Sequence, residues 1–583
     1  MNEAILQDNN CWLYFTQPHR IIQTNIHAEV FPTLQEIERL VEKDHCYAVG
    51  FITYDAAPGF DWALPVRLEN NCAFQVPLLY FALYSAPIIL PHLPSPNCSS
   101  HGRETTAFPR KWSPSISPEI YYRALVTIRD HIERGDTYQV NYTWRLRSQF
   151  TGAPRVWFHD MVAAQEPRYA AYLDLGNFVI LSVSPELFFA RDGVQLITRP
   201  MKGTIARAPD VITDKIQAER LFTSNKDRAE NIMIVDMMRN DLSRIAQLGS
   251  VKVANLFSIE KYPNVWHMTS TIHAQTDAPL AEIFRALFPA ASVTGAPKVK
   301  TMEIISRLES DPRGIYTGAI GFIAPERRAE FNVAIRTIIL NCATGAAQYG
   351  VGGGIVWDSN SAAEYAECLS KARVLWTPRP NFELFETFLW TPTAGFFLLA
   401  EHLQRLIESA NYFSYPIEQK SLVQTLHDLS RQFPFHPQRV RLFITQTGAI
   451  RTDFSPYQKI SGKITLGLAR SPIDISDPFF YHKTTHRRHY EQARQELPNA
   501  MDVILWNERE EITETTIANI VVELDGELIT PPQSSGLLAG TYRRKLLSAQ
   551  IIREKTITLA ELKRAPRLWI INSLRKWQAA RLV

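Results

Sequence analysis

Two lysines stand in settings that suit amine chemistry better than a solvated surface charge. Lys202 lies in Arg199-Pro200-Met201-Lys202-Gly203-Thr204, just after a predicted strand at 194–198 and before a turn signal. Lys483 lies in His482-Lys483-Thr484-Thr485, in the other half of the chain. A buried ammonium must either find a partner or lose its proton more readily, and the free amine is a nucleophile. Two such amines, far apart in sequence, predict two active sites.

The elements around them follow from pattern. Ser117-Pro118-Glu119 opens a helix with a cap and a first-turn proline, carries apolar Ile120, Leu125, Ile128 and Ile132, and ends at Gly135. Residues 137–146 alternate strictly. Tyr138, Val140, Tyr142, Trp144 and Leu146 fall on one side, with Thr137, Gln139, Asn141, Thr143 and Arg145 on the other, as in a strand with two unlike faces. A long, broken helical stretch is expected at 217–248, a helix after Pro297 and another at 361–375. Strands are expected at 319–324, 331–340 and 348–351, leading into Gly352-Gly353-Gly354. Trp376-Thr377-Pro378-Arg379-Pro380 reads as a linker, because its two prolines impose an extended path. No internal repeat is apparent.

At 583 residues the chain exceeds one ordinary core, given about 150 residues per domain. Its 62 Lys+Arg against 59 Asp+Glu leave a net charge of +3, and no basic run points to nucleic acid or a membrane surface. The six cysteines (Cys11, Cys46, Cys72, Cys98, Cys342 and Cys368) form no CxxC pair, so neither a disulfide framework nor a zinc cluster is implied. No signal peptide or spanning apolar stretch is visible, and a cytoplasmic location is the expectation.

Several ordered blocks between about 116 and 376 resemble the chorismate-utilising family of anthranilate, isochorismate, salicylate and aminodeoxychorismate synthases. They are Gly135-Asp-Thr-Tyr-Gln-Val-Asn141, Ser184-Pro-Glu186, Arg199-Pro-Met-Lys-Gly-Thr204, Lys226-Asp-Arg-Ala-Glu-Asn231 and Ile234-Val-Asp-Met-Met-Arg-Asn-Asp-Leu242. Ser292-Val-Thr-Gly-Ala-Pro-Lys298, Ile335-Arg-Thr337 and Glu364-Tyr-Ala-Glu367 complete the set. Chorismate is a dianion with a poor leaving group, so carboxylate-held Mg2+ suits it. The resemblance implies Glu230 and Glu367 as metal ligands, with Glu364 on the same helix face. Read alone, Glu367 pairs with Lys371 on a solvated helix. Arg336 should hold a carboxylate by its fork of donors, and Gly352, Gly353 and Gly354 let backbone approach an anion. The resemblance also places His267, Thr294 and Tyr316 at the substrate and gives Glu186 the general acid/base role. Water-using members carry a lysine at the position of Gln139; an amide there implies ammonia as nucleophile. Lys202 then implies attack on ring carbon 2 while the hydroxyl at carbon 4 leaves, followed by ammonia entering at carbon 4 and expelling the lysine.

Residues from about 381 resemble fold-type IV pyridoxal-phosphate enzymes, which include branched-chain and D-amino-acid aminotransferases and aminodeoxychorismate lyase. The resemblance rests on Phe385-Glu-Thr387, His402-Leu-Gln-Arg-Leu406, Lys483-Thr-Thr-His-Arg487, Ile512-Thr-Glu514, Ala518-Asn519, Thr530-Pro-Pro532 and Gly536-Leu-Leu-Ala-Gly-Thr541. It implies Lys483 as the cofactor-bearing lysine and proton shuttle, and Glu514 as the carboxylate that keeps the pyridine nitrogen protonated. Arg405, Gly540 and Thr541 form the implied phosphate cup, with backbone contacts from Ile517 and Ala518. In Asn572-Ser-Leu-Arg575, Lys576 follows where glycine is expected, which puts the local backbone in question.

The expected fold is α+β: a large two-layered α/β sandwich (1–110 its N-terminal part, 111–376 its catalytic part), a linker at 377–382, and a fold-type IV unit at 383–583. The expected function is amination of chorismate to 4-amino-4-deoxychorismate, then loss of pyruvate to give 4-aminobenzoate. No cysteine sits in a Gly-x-Cys-x-Gly elbow, so a separate glutamine amidotransferase should supply ammonia. The second unit implies a homodimer. Two other readings stand beside this one: an anthranilate-type synthase fused to an aminotransferase, and a synthase with a non-catalytic C-terminal module.

Overall fold

A computed structural model of the chain describes residues 2–67, 74–95, 109, 111–375 and 379–583. Cys72, Cys98 and the Trp376-Thr377-Pro378 stretch of the expected linker lie outside them. Two compact units emerge. One comprises Met1–Ala206 and Ala218–Arg379; the other comprises Arg207–Gln217 and Pro380–Val583. The second unit therefore takes a short segment from within the region expected to be wholly synthase.

The first unit is built on two ten-stranded antiparallel sheets. In one, Gln139–Gln149 lies beside Ala346–Ile355, which pairs with Thr337–Asn341. In the other, Met201–Ala206 and Gln195–Arg199 both pair with Val265–Gln275. The N-terminal region is part of this body: Glu3–Asp8 and Cys11–Thr16 extend the first sheet, and Tyr47–Ile52 and Leu79–Tyr84 extend the second. Leu6, Phe15, Phe51, Tyr80 and Phe322 fill the layer where the two sheets face each other. Helices cover the outer faces, with Leu125, Ile128 and Trp157 over one sheet and Ile234, Met238 and Phe284 over the other.

Local chemistry sets the element ends. The Ser117 side chain caps the helix Pro118–Glu133. Ser224 does the same for Asn225–Ser243, accepting from the Asp227 N–H, and so divides the expected 217–248 helix into Val211–Thr223 and Asn225–Ser243. The strand expected at 331–340 is two strands, Arg328–Val333 and Thr337–Asn341. The break contains Arg336, whose φ of 52° takes the chain out of extended geometry. The glycine run lies inside the strand Ala346–Ile355. Both faces of Gln139–Gln149 are buried over most of its length: Gln139 and Arg145 are as inaccessible as Val140 and Trp144.

The second unit holds a four-stranded sheet containing Leu384–Thr391 and Gln438–Ile444, and an eight-stranded mixed sheet containing Ile512–Thr515, Asn519–Leu524, Arg567–Asn572 and Lys576–Leu582. Leu403, Leu406, Val440 and Leu442 pack one core, and Ile504, Ile520, Val522 and Ile570 another. Lys576 adopts a φ of 59°, the left-handed conformation that a glycine would take without strain. The hairpin geometry survives the substitution. No helix among the described residues is long and apolar enough to cross a membrane.

Candidate functional site

In the first unit a cavity of about 210 Å³ gathers Glu186, Lys202, Glu230, His267, Tyr316, Arg336, Gly352, Gly353, Gly354, Glu364 and Glu367. Lys202 arrives on the strand Met201–Ala206, whose register against Val265–Gln275 slips between Met201 and Thr204. Gly203, at φ 101°, lies within that irregularity, and its backbone passes close enough to Met268 and Asp227 that a Cβ would sit 3.2–3.3 Å from theirs. Asn231 fixes the Lys202 carbonyl by donating from Nδ2 at 3.1 Å. The Lys202 ammonium lies 3.1 Å from Glu230 Oε2, so its ion-pair partner is Glu230, from the facing helix.

The glycine run works by close approach. A Cβ on Gly350 would meet the Tyr316 ring at 2.2 Å, and one on Gly352 the Tyr142 carbonyl oxygen at 2.5 Å. On Gly354 it would fall 2.6 Å from Lys202 Nζ and 3.1 Å from Gln139 Nε2. Gln139 is fully buried, and neither amide atom has a hydrogen-bond partner among the described residues.

Glu186 accepts a 2.6 Å hydrogen bond from Ser292 Oγ. Burial pushes its carboxyl up to about 7, against the opposing pull of Ser292, the Met201 N–H and Lys202. It therefore holds a proton near neutrality, as a general acid must. His267 contacts Thr204 Oγ1 through Nδ1 at 2.8 Å and Arg336 Nη2 through Nε2 at 3.2 Å. Arginine only donates, so Nε2 accepts and the ring proton is on Nδ1. Burial, then the charges of Arg336 and Lys371, hold the imidazole well below its usual range, so it is neutral. Arg336 also donates to Gln165 Oε1. It has no acidic ion-pair partner among the described residues, which leaves a partly buried guanidinium lining the cavity with charge to spare for an anion.

The three glutamates expected at a metal line this cavity, but each is engaged within the chain. Glu230 pairs with Lys202, Glu364 accepts from Ser359 Oγ at 2.7 Å, and Glu367 pairs with Lys371 at 2.8 Å. Lys371 pulls the Glu367 carboxyl down, whereas burial pushes Glu364 up. No group of three His, Cys, Asp or Glu side chains among the described residues is gathered to hold a metal ion. Gln139 and Thr294 are the other departures: neither lines the cavity, and the Thr294 hydroxyl is spent on the Ala290 carbonyl at 3.1 Å.

Sequence reasoning missed the supports. Lys371 lines the cavity and donates to the Gly352 carbonyl at 3.1 Å. The i,i+4 spacing from Glu367 gave the pair itself, but read alone it pointed to a solvated surface rather than a cavity wall. Beneath the cavity, Glu309 and Arg313 form a buried 2.7 Å pair. Arg313 donates to the carbonyls of Asn141 and Val293, and Glu309 accepts from the Thr143 N–H. The polar face of Gln139–Gln149 is thus clamped to the Ser292–Val293 loop.

A cavity of about 320 Å³ in the second unit brings together Lys483, Glu514, Arg405, Ile517, Ala518, Gly540 and Thr541. Lys483 Nζ lies 4.6 Å from the centre of the Phe385 ring. Burial, only partly offset by Glu386, lowers its ammonium to about 8. Glu514 accepts from the Tyr490 hydroxyl at 2.8 Å and from Asn519 Nδ2 at 3.2 Å, and burial raises its carboxyl to about 7. Arg405 is fixed by a bidentate pair to Glu386, at 2.7 and 2.8 Å. His402 joins the same carboxylate at 2.7 Å and reaches Thr541 Oγ1 with its other nitrogen at 3.2 Å. Burial would raise Glu386, but Arg405 and His402 outweigh it and hold the carboxylate ionised. A Cβ on Gly540 would come 2.1 Å from Asn519 Oδ1. The N–H groups of Ile517 and Ala518, expected to face a ligand, point instead to Thr515 Oγ1 at 3.4 and 3.1 Å.

Comparison with known proteins matches each part of the chain to a family. Residues 5–377 match the model of the chorismate binding enzyme family, and residues 383–583 match amino-transferase class IV. Aminodeoxychorismate synthase component 1 of Escherichia coli is 42% identical over 262 residues, which cover 45% of this chain and 57% of that protein. The protein of the same name from Klebsiella aerogenes is 35% identical over 343 residues, covering 56% of this chain and 75% of that protein. The chain thus spans little more than half the length of the first relative. In fold, it resembles anthranilate synthase component I from Streptococcus pneumoniae, with a TM-score of 0.55 at 24% identity, over 64% of this chain and 92% of that one. The chain belongs to the chorismate binding enzyme family and carries an amino-transferase class IV unit behind it.

Proposed function

We propose that the chain makes 4-aminobenzoate from chorismate in two steps, amination in the first unit and loss of pyruvate in the second. The observation that carries the reading is Lys202 Nζ in the wall of a cavity that also holds Glu186, whose carboxyl burial raises to about 7, and an arginine with no acidic partner among the described residues. Arg336 takes a carboxylate of chorismate. Lys202, once it releases Glu230 and its proton, adds to ring carbon 2; both ring double bonds shift, from C1–C2 and C5–C6 to C1–C6 and C4–C5, and the hydroxyl at carbon 4 leaves as water with the proton from Glu186. Ammonia then adds at carbon 4 and gives a proton to the Glu186 carboxylate, both double bonds return, and the lysine amine departs from carbon 2. Gln139 faces Lys202 across Gly354 and cannot act as a base, so it does not activate water as a competing nucleophile. A separate amidotransferase supplying the ammonia belongs to the same proposal.

Mg2+ is part of the proposal on the chemistry of Glu230, Glu364 and Glu367, whose hard oxygens suit it. Their present pairing to Lys202, Ser359 and Lys371 does not form a metal site.

The second cavity suits pyridoxal phosphate. Arg405, Thr541 and the tight backbone at Gly540 would hold its phosphate, Lys483 its aldehyde carbon and Glu514 its ring nitrogen. When bound, the cofactor supplies an electron sink for the pair left when a C–H bond beside the substrate amine breaks. Lys483 Nζ takes that proton from carbon 4. The ring then aromatises as the enolpyruvyl side chain leaves as pyruvate.

The test is the product formed from chorismate, ammonium and Mg2+ by the cofactor-loaded protein. 4-Aminobenzoate with pyruvate supports the reading. Anthranilate would move the first unit to the sister reaction. Aminodeoxychorismate without 4-aminobenzoate would remove the lyase step.

A further inference from the structure

The second cavity carries more positive charge than a phosphate accounts for. Besides Lys483, five arginines line it (Arg405, Arg439, Arg441, Arg487 and Arg575), and Glu514 is the one acidic residue among the described lining. Arg405 is matched by Glu386, and Arg441 by Asp453 at 2.8 Å. Arg487 donates to the Thr516 carbonyl and lies over the Tyr490 ring at 4.4 Å. Arg439 and Arg575 differ from these. Among the described residues their guanidinium groups have no hydrogen-bond or ion-pair partner, and Nε of each is buried.

Local structure aims both at the cavity. On Gln438–Ile444 the residues Gln438, Val440 and Leu442 are buried in the core, so Arg439 and Arg441 project from the opposite face, shared with Phe385 and Thr387 of the paired strand. Arg575 ends the three-residue turn joining Arg567–Asn572 to Lys576–Leu582. Asn572 Oδ1 pins that turn by accepting from the N–H groups of Leu574 and Arg575 at 3.1 and 2.8 Å, and Lys576 takes its left-handed φ to close it. Partly buried guanidiniums without counter-ions are costly unless an anion completes them, and their planar forks match carboxylates.

We propose that Arg439 and Arg575 each hold one carboxylate of the substrate, so that the second unit selects a dicarboxylate amine over a monocarboxylate one. The proposal rests on the reading above, since aminodeoxychorismate is such an amine, and it names the residues that would read its charge.

The test uses the full-length, cofactor-loaded protein. Pyruvate release from aminodeoxychorismate gives KM and kcat; the shift of the bound cofactor's absorption band on titration with alanine gives the response to a monocarboxylate. R439M and R575M should each raise KM for aminodeoxychorismate about ten-fold or more, mainly in KM, and move half-saturation by alanine less than about three-fold. R439K should recover part of the loss, and because it keeps the charge it serves as the reading where R439M fails to take up cofactor. A loss equal for both amines, or no change in KM, would overturn the proposal. If the wild type releases no pyruvate, the lyase reading fails, and titration with aspartate and glutamate against alanine decides the charge selection separately. A dicarboxylate preference erased in R439M and R575M supports it; equal response to all three amines overturns it.

Discussion

The chemistry of each cavity turns on how burial sets one proton. Glu186 keeps its proton up to about pH 7 because burial outweighs Ser292 and Lys202. Its acid form is therefore lost as pH rises through about 7, and kcat/KM for amination should fall on that alkaline side. Glu186→Gln should abolish this limb and lower kcat by about 10²–10⁴, read from a pH profile of aminodeoxychorismate formation; a limb that persists in the variant would assign the proton elsewhere. Lys483 is shifted the other way, down to about 8. Only the neutral amine can attack the cofactor, so uptake of pyridoxal phosphate should quicken as pH rises through about 8 and level off above it. Stopped-flow absorbance of the cofactor checks this, and a rate still climbing above pH 10 would mean an ordinary lysine. At this scale the sequence showed which residue types belong together, because Lys202, Glu186, Glu230 and Arg336 stand in ordered blocks. It did not show their partners. Ser292 for Glu186 and Thr204 for His267 are pairings that only the fold makes, whereas the Glu367–Lys371 pair was legible from its i,i+4 spacing, and Thr294 turns its hydroxyl away to a carbonyl.

Elements were legible where a periodic pattern met a punctuating residue, as at the Ser117 cap with Pro118 behind it; the Ser224 cap, inside the long stretch expected at 217–248, was not. They were incompletely legible where the physics lies in close approach. The run Gly352-Gly353-Gly354 reads as backbone that can approach an anion closely, but not as part of a strand, nor as packed against Tyr142, Glu364, Lys202 and Gln139, which occupy the space side chains would need. Alternation along 137–146 gave two faces, but with both buried it could not say which one meets the ligand. The break at Arg336 was invisible because no glycine or proline marks its positive φ. Gly354→Ala tests the close-approach account. Its methyl would fall 2.6 Å from Lys202 Nζ. Lys202 can swing aside, so the fold should hold, with a stability change within the about 1–3 kcal/mol typical of overpacking. Amination should nevertheless drop by at least about 10², as expected for a misplaced nucleophile. A variant with undiminished amination would show that the gap between Lys202 and Gln139 is not needed.

In the whole molecule, two lysines line two cavities, and each cavity gathers its own candidate nucleophile, a carboxylate raised by burial and its own guanidiniums. Division of the chain into two units was legible from length and from the two sets of blocks. The grouping of Arg207–Gln217 with the second unit was not, since nothing in that segment's composition differs from its neighbours. With two separate cavities, the two steps should fail separately, and the product profile of the full-length protein given chorismate, ammonium, Mg2+ and pyridoxal phosphate tests this most directly. The wild type should yield 4-aminobenzoate and pyruvate in equal amounts. Lys202→Ala should lose amination while still converting supplied aminodeoxychorismate, and Lys483→Ala should accumulate aminodeoxychorismate. Undiminished 4-aminobenzoate from chorismate in either variant, or anthranilate from the wild type, would contradict the account.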